Sequence, residues 1–145
     1  MLIRDILNLK GGTIHSIGSD ASLSSAVSLM VARDVGSVVL TDGERMAGLL
    51  TFREVLRVID AYGGKLDGVC ARDVMVRDPV CAQPGDTIDD LRELMIHHHV
   101  RYVPVKDGER LAGIISFHDV AKAVIRETSM ENRLLKRYLE SEPET

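Results

Sequence analysis

Residues Asp107 to Asp119 read DGERLAGIISFHD, and residues Asp42 to Glu54 read DGERMAGLLTFRE, nearly the same string 65 positions earlier. One unit has been written twice. Each copy opens on an Asp-Gly pair, a strong signal for a tight hairpin, and runs on through an apolar strand. A hydroxyl residue then precedes a carboxylate by three positions, Thr51 with Glu54 and Ser116 with Asp119. That spacing is a capping box, which satisfies the first backbone donors of a helix. The same helix start offers N–H groups and a positive dipole end to an anion, so capping and ligand contact are compatible.

The repeat extends outward without a gap from about Ala21 to Asp60. Leu29 matches Leu94, Met30 matches Met95, Val35 matches Val100, Gly48 matches Gly113, and Phe52 matches Phe117. Upstream, IRDIL at Ile3 resembles ARDVM at Ala71 with a shift of 68, so the first copy carries three extra residues near KGGTI. Within each copy the periodicity predicts a short extended piece, His15 to Ile17 or Val80 to Ala82, and then a helix beginning near Ser22 or Thr87. Strands follow at Ser37 to Thr41 and Tyr102 to Lys106, paired with Met46 to Leu50 and Leu111 to Ile115. A second helix buries Phe52, Val55, Leu56 and Ile59, or Phe117, Val120, Ala121 and Val124, on one face.

The order per copy is therefore β-α-β-β-α, and the fold class is α+β. The expected organisation is repeat 1 over residues 1–62, a glycine-rich linker over 63–70, repeat 2 over 71–126 and a helical extension over 127–145. In the extension Met130, Leu134, Leu135, Tyr138 and Leu139 form a second apolar stripe with nothing in one small domain to cover it.

Composition narrows the function. With 145 residues, a formal charge of −4 and a pI near 5.7, the chain lacks the concentrated basic face that a nucleic-acid backbone requires. Three Tyr, two Phe and no Trp leave little for base stacking on an open sheet. The start lacks the apolar core of a signal peptide and no run approaches a membrane span, so a soluble cytoplasmic protein is expected. Cys70 and Cys81 are too far apart for a CxxC motif and read as free thiols. His97-His98-His99 do not converge on one ion, because consecutive helical residues point about 100° apart. No nucleophile-base pair or metal cluster emerges, so neither enzyme activity nor a catalytic cofactor is expected.

Two such units, each ending in an apolar strand, Gly, two aliphatics, a hydroxyl residue and a carboxylate three positions on, resemble the tandem CBS-domain (cystathionine β-synthase domain) pair, here stand-alone. The resemblance covers Ile3 to about Arg126. It implies two pseudo-symmetric repeats packed through their sheets, a homodimer, and inter-repeat clefts that bind adenine nucleotides for regulation. AMP is the first choice of ligand, with ATP, NAD and S-adenosylmethionine behind it. Carried over by position, Ser116 would touch phosphate or ribose, Asp119 would accept from the ribose diol, His118 would face the phosphate, and Arg101 would add a charge-assisted contact.

The wall of that site would come from Thr13, His15 and Ile17 and from Gly36 and Ser37. The first copy departs from the pattern, with Thr51, Arg53 and Glu54 at its helix start and Gly36 opposite Arg101 in the alignment. Its site would be walled by Val80 to Ala82 and Val100 to Tyr102. The rival expectation is a dimerisation or protein-interaction module, with vestigial sites and an unidentified protein target, working through its tail.

Overall fold

A computed structural model describes residues 1–141; the last four residues of the expected extension, 142–145, lie outside the described residues. The elements run α1 (Ile3–Lys10), β1 (Ser16–Gly18), α2 (Leu23–Arg33), β2 (Ser37–Asp42), β3 (Arg45–Thr51), α3 (Phe52–Ala61), a 3₁₀ turn (Ala71–Asp73), α4 (Ile88–His98), β4 (Tyr102–Asp107), β5 (Arg110–Ser116) and α5 (Phe117–Ser141). The α+β repeat pattern read from the sequence is present.

In the first repeat β1 pairs parallel to β2, and β2 pairs antiparallel to β3. The hairpin turns on Gly43-Glu44, with Gly43 at φ 61° and Asp42 facing Arg45. A positive φ at the first loop residue alone is the type II′ arrangement, which needs glycine there. Gly108, at φ 65°, repeats it between β4 and β5.

The second sheet has only those two strands, although the sequence predicts a third at Val80 to Ala82. The reason lies in one residue. Val39 in β2 donates its N–H to His15 O at 2.9 Å, but the matching residue in β4 is Pro104, which has no N–H to give. What survives is a single parallel bridge, Ala82 to Val105, held by Ala82 N to Pro104 O and Lys106 N to Ala82 O, both 2.9 Å.

The cores are shared crosswise. Ile3 and Ile6 of α1 are buried among Leu91, Met95, Val103, Ile115 and Val120 of the second repeat, whereas Ala71, Val74 and Met75 pack with Leu23, Leu40 and Leu50 of the first. Backbone bonds repeat the exchange: Ile3 N donates to Asp86 O and Ala71 N to Ala21 O, each at 2.9 Å. So the segment leading into each repeat completes the other one.

This exchange explains the glycine inside each quoted string. A Cβ on Gly113 would stand 2.7 Å from Leu7 Cδ2, and one on Gly48 would stand 2.6 Å from Met75 Sδ and 2.7 Å from Val76 O. Leu7 and Met75 are matching residues at the shift of 68, each lying against the opposite repeat. Only a missing side chain leaves room for them. Toward the far end of α5, Met130, Leu134, Leu135, Tyr138 and Leu139 are 55–62% exposed.

Candidate functional site

Among the described residues, four of the five α-helices, α2 to α5, start on a hydroxyl residue that caps them. Ser22 Oγ accepts from Ser25 N at 3.0 Å, and Thr87 Oγ1 accepts from Asp90 N at 3.0 Å. At α3, Thr51 N donates to Glu54 Oε2 at 2.9 Å and the Thr51 hydroxyl donates to the same carboxylate oxygen. At α5, Ser116 N donates to Asp119 Oδ2 at 2.8 Å, and Asp119 N donates to Ser116 Oγ at 3.1 Å.

A third partner makes the α5 start different. Lys10, the last residue of α1, places its Nζ 2.7 Å from Asp119 Oδ2 and donates at 2.7 Å to Ile114 O. Burial acts to raise the Asp119 pKa, but the Lys10 hydrogen bond, the Ser116 backbone N–H and the Lys10 charge outweigh it. The carboxyl therefore titrates below its ordinary value. It is an anion at neutral pH with a cation already beside it.

Asp119 lies on the wall of a cleft of about 1230 Å³ between the repeats. Nine of the twelve residues singled out from the sequence line it: Thr13, His15, Gly36 and Ser37 from the first repeat's entry segments, Arg53 from α3, Arg101 before β4, and Ser116, His118 and Asp119. Ile17 does not; it packs against the core of the first repeat. Thr51 and Glu54 belong to a second cleft of about 210 Å³, whose other wall includes Val80, Val100, Arg101 and Tyr102. Cys81 and Ala82 are not on that wall.

The difference in size has a local cause. Position 102 carries Tyr where the first copy has Ser37, and the Tyr102 ring reaches across to Gly36, where a Cβ would lie 1.8 Å from its hydroxyl oxygen. Gly36 is thus the residue that admits Tyr102. The ring meets Phe52 edge-on at 6.1 Å, and Arg101 sits 5.6 Å above the Phe52 ring. Burial raises the Tyr102 pKa, Arg101 opposes the rise and Asp119 adds to it. Glu54 is only 7% exposed and is folded onto its own cap, and Asp78, which matches Lys10 at the shift of 68, stands near it. The small cleft has an acid where the wide one has a lysine.

Lys10 is the site residue the sequence reading missed. The shift of 68 against 65 signals that the opening segments are out of step, but not that each crosses to the other repeat. Arg53 differs from expectation in another way, since its Nη2 donates to His99 O at 2.6 Å. His99 caps α4 in the left-handed region at φ 53°, and among the described residues no cluster of His, Cys, Asp or Glu is arranged to hold a metal ion. Among the described residues, no helix is long and apolar enough to cross a membrane.

The family model for the CBS domain matches residues 3–61 and 71–126. A CBS-domain-containing protein of Agrobacterium tumefaciens is 33% identical, with a TM-score of 0.81 over 85% of this chain and 98% of its own. A CBS domain protein of Pyrobaculum aerophilum, solved in complex with AMP, is 22% identical, with a TM-score of 0.74 over 90% and 99% of the two chains. An arabinose 5-phosphate isomerase of Yersinia pestis is 31% identical over 122 residues; the match takes in 83% of this chain but only 37% of that protein.

Proposed function

This chain belongs to the CBS-domain family, and we propose that its wide cleft takes up an adenine nucleotide as a regulatory signal in the cytoplasm. AMP is the first ligand to test, ahead of ATP, NAD and S-adenosylmethionine. The observation that carries the reading is the Asp119 carboxylate, held ionised at the start of α5 and lining a cleft wide enough for a nucleotide.

In this reading the ribose diol donates to Asp119, whose protein contacts both fall on Oδ2, so Oδ1 is the oxygen offered to the ligand. The phosphate meets Ser116, His118 and Arg101, at the positive dipole end of α5. The base lies against the Thr13–His15 and Gly36–Ser37 segments. The protein binds and does not transform its ligand. Binding regulates by favouring one arrangement of the repeats, or of a homodimer, which requires unequal affinity for the two states.

Calorimetric titration with AMP tests the reading. Replacing Asp119 by Asn removes charge-assisted bonds of about 1.5–3 kcal/mol, a loss of roughly 10- to 100-fold in affinity. Unchanged affinity in the variant would take Asp119 out of the site. A second reading, a dimerisation or interaction module with vestigial sites, is favoured by the exposed stripe from Met130 to Leu139. Absence of thermal stabilisation at millimolar AMP, ATP, NAD and S-adenosylmethionine would select it.

A further inference from the structure

Three arginines meet where the two clefts join. Arg53 and Arg101 line both clefts, and both also line an outer recess of about 340 Å³ that Arg57 and Asp60 share. Arg57 lines the small cleft and the outer recess but not the wide cleft. Arg53 and Arg57 are four residues apart on α3 and therefore share a helix face. Among the described residues none of the three forms a salt bridge, although the chain as a whole carries a net charge of −4. Arg53 is instead fixed by His99 O, and Arg101 by the Phe52 ring.

Nearby carboxylates do not cancel this charge. Glu54 is committed to Thr51, leaving Asp60 in the outer recess and Asp78 in the small cleft against three guanidinium groups. Guanidinium forks suit phosphate oxygens, and one monophosphate beside Ser116 and His118 does not use three of them. We propose that the arginines form a polyphosphate subsite: the phosphate chain of a nucleoside di- or triphosphate in the wide cleft runs past Arg101 and Arg53 to Arg57. This rests on the adenine-nucleotide reading and narrows it to the polyphosphates.

The test uses the full chain, wild type and Arg57→Ala, titrated calorimetrically with AMP, ATP and inorganic tripolyphosphate without divalent metal. The subsite predicts ATP binding at least about tenfold tighter than AMP, with Arg57→Ala removing at least about fivefold of that advantage and moving the AMP affinity by less than about twofold. ATP no tighter than AMP, or a variant that weakens both equally, overturns the proposal. Tripolyphosphate separates the two claims. If it binds, loses affinity in Arg57→Ala, and neither nucleotide binds, the arginine subsite holds and the adenine reading fails. If none of the three ligands binds, both fail.

Discussion

Replacing Gly48 by Ala is the most direct test of the crossed core. The added methyl would lie 2.6 Å from Met75 Sδ, 2.9 Å from Met75 Cγ and 2.7 Å from Val76 O. Met75 can turn away, but Val76 O is backbone and cannot. It accepts from Leu49 N at 2.9 Å, while Val76 N donates to Leu49 O at 2.8 Å, so moving the segment weakens both bonds. Overpacking costs about 1–3 kcal/mol and each backbone bond is worth about 0.5–1.5 kcal/mol. The lower unfolded-state entropy of Ala returns about 0.4–1 kcal/mol. With the two bonds stretched but not lost, the net destabilisation is about 2–4 kcal/mol. For a urea slope of about 2 kcal/mol/M, the midpoint falls by about 1–2 M. Gly12→Ala is the control, since a Cβ there meets nothing within 4 Å and its φ is not positive; its midpoint should stay or rise slightly. A Gly48→Ala midpoint equal to that of Gly12→Ala, at unchanged slope, would refute the argument that the exchanged segment is what the glycine admits.

Two further outcomes follow from the site. The folded-state pKa of Asp119 is lowered, so its stabilising contribution is complete above the ordinary carboxylate range and is lost as pH falls through the folded value. Lys10→Met removes the chief opponent of burial and should shift the acid limb of thermal stability to higher pH. At neutral pH it should cost no more than about 1 kcal/mol, because the Lys10 side chain is 34% exposed. An unmoved acid limb would show that Lys10 does not hold the carboxylate in solution. Gly36→Ala should destabilise by about 1–3 kcal/mol by displacing the Tyr102 ring. In a Tyr102→Ser background, Ser being the residue at the matching position 37, that cost should drop by at least about 1 kcal/mol in a double-mutant cycle, and a cost that does not drop would exonerate Tyr102.

Much of the fold is legible in the sequence, because the signals are local. The capping boxes at Thr51, Thr87 and Ser116 depend on residues three apart, and the hairpins depend on Gly43 and Gly108. The resemblance to the CBS pair supplied Arg101, Ser116, His118 and Asp119 as a group, and all four line the wide cleft. Lys10 was not readable, since its contact with Asp119 spans 109 residues and depends on α1 crossing to the other repeat. Ile17 was misplaced because residues two apart in a strand share a face, which groups it with His15; β1 begins only at Ser16, so His15 lies before the strand and lines the cleft, while Ile17, paired with Leu40, packs into the core of the first repeat. The missing third strand at Val80 to Ala82 was written in the sequence as Pro104, but its effect shows only when the partner of that absent N–H is known.

The crossed opening segments also set the order in which the molecule can be made. Ile3 and Ile6 leave the ribosome well before their burial partners Val103, Ile115, Val120 and Ala123, which come about a hundred or more positions later. At about 5–20 residues per second, α1 waits roughly 5–25 s with its apolar face unfilled. Helix α1 is made before most of the core it joins, so a polypeptide halted at the end of repeat 1 holds neither core complete. Two copies of one unit thus make a fold in which each core takes side chains from both.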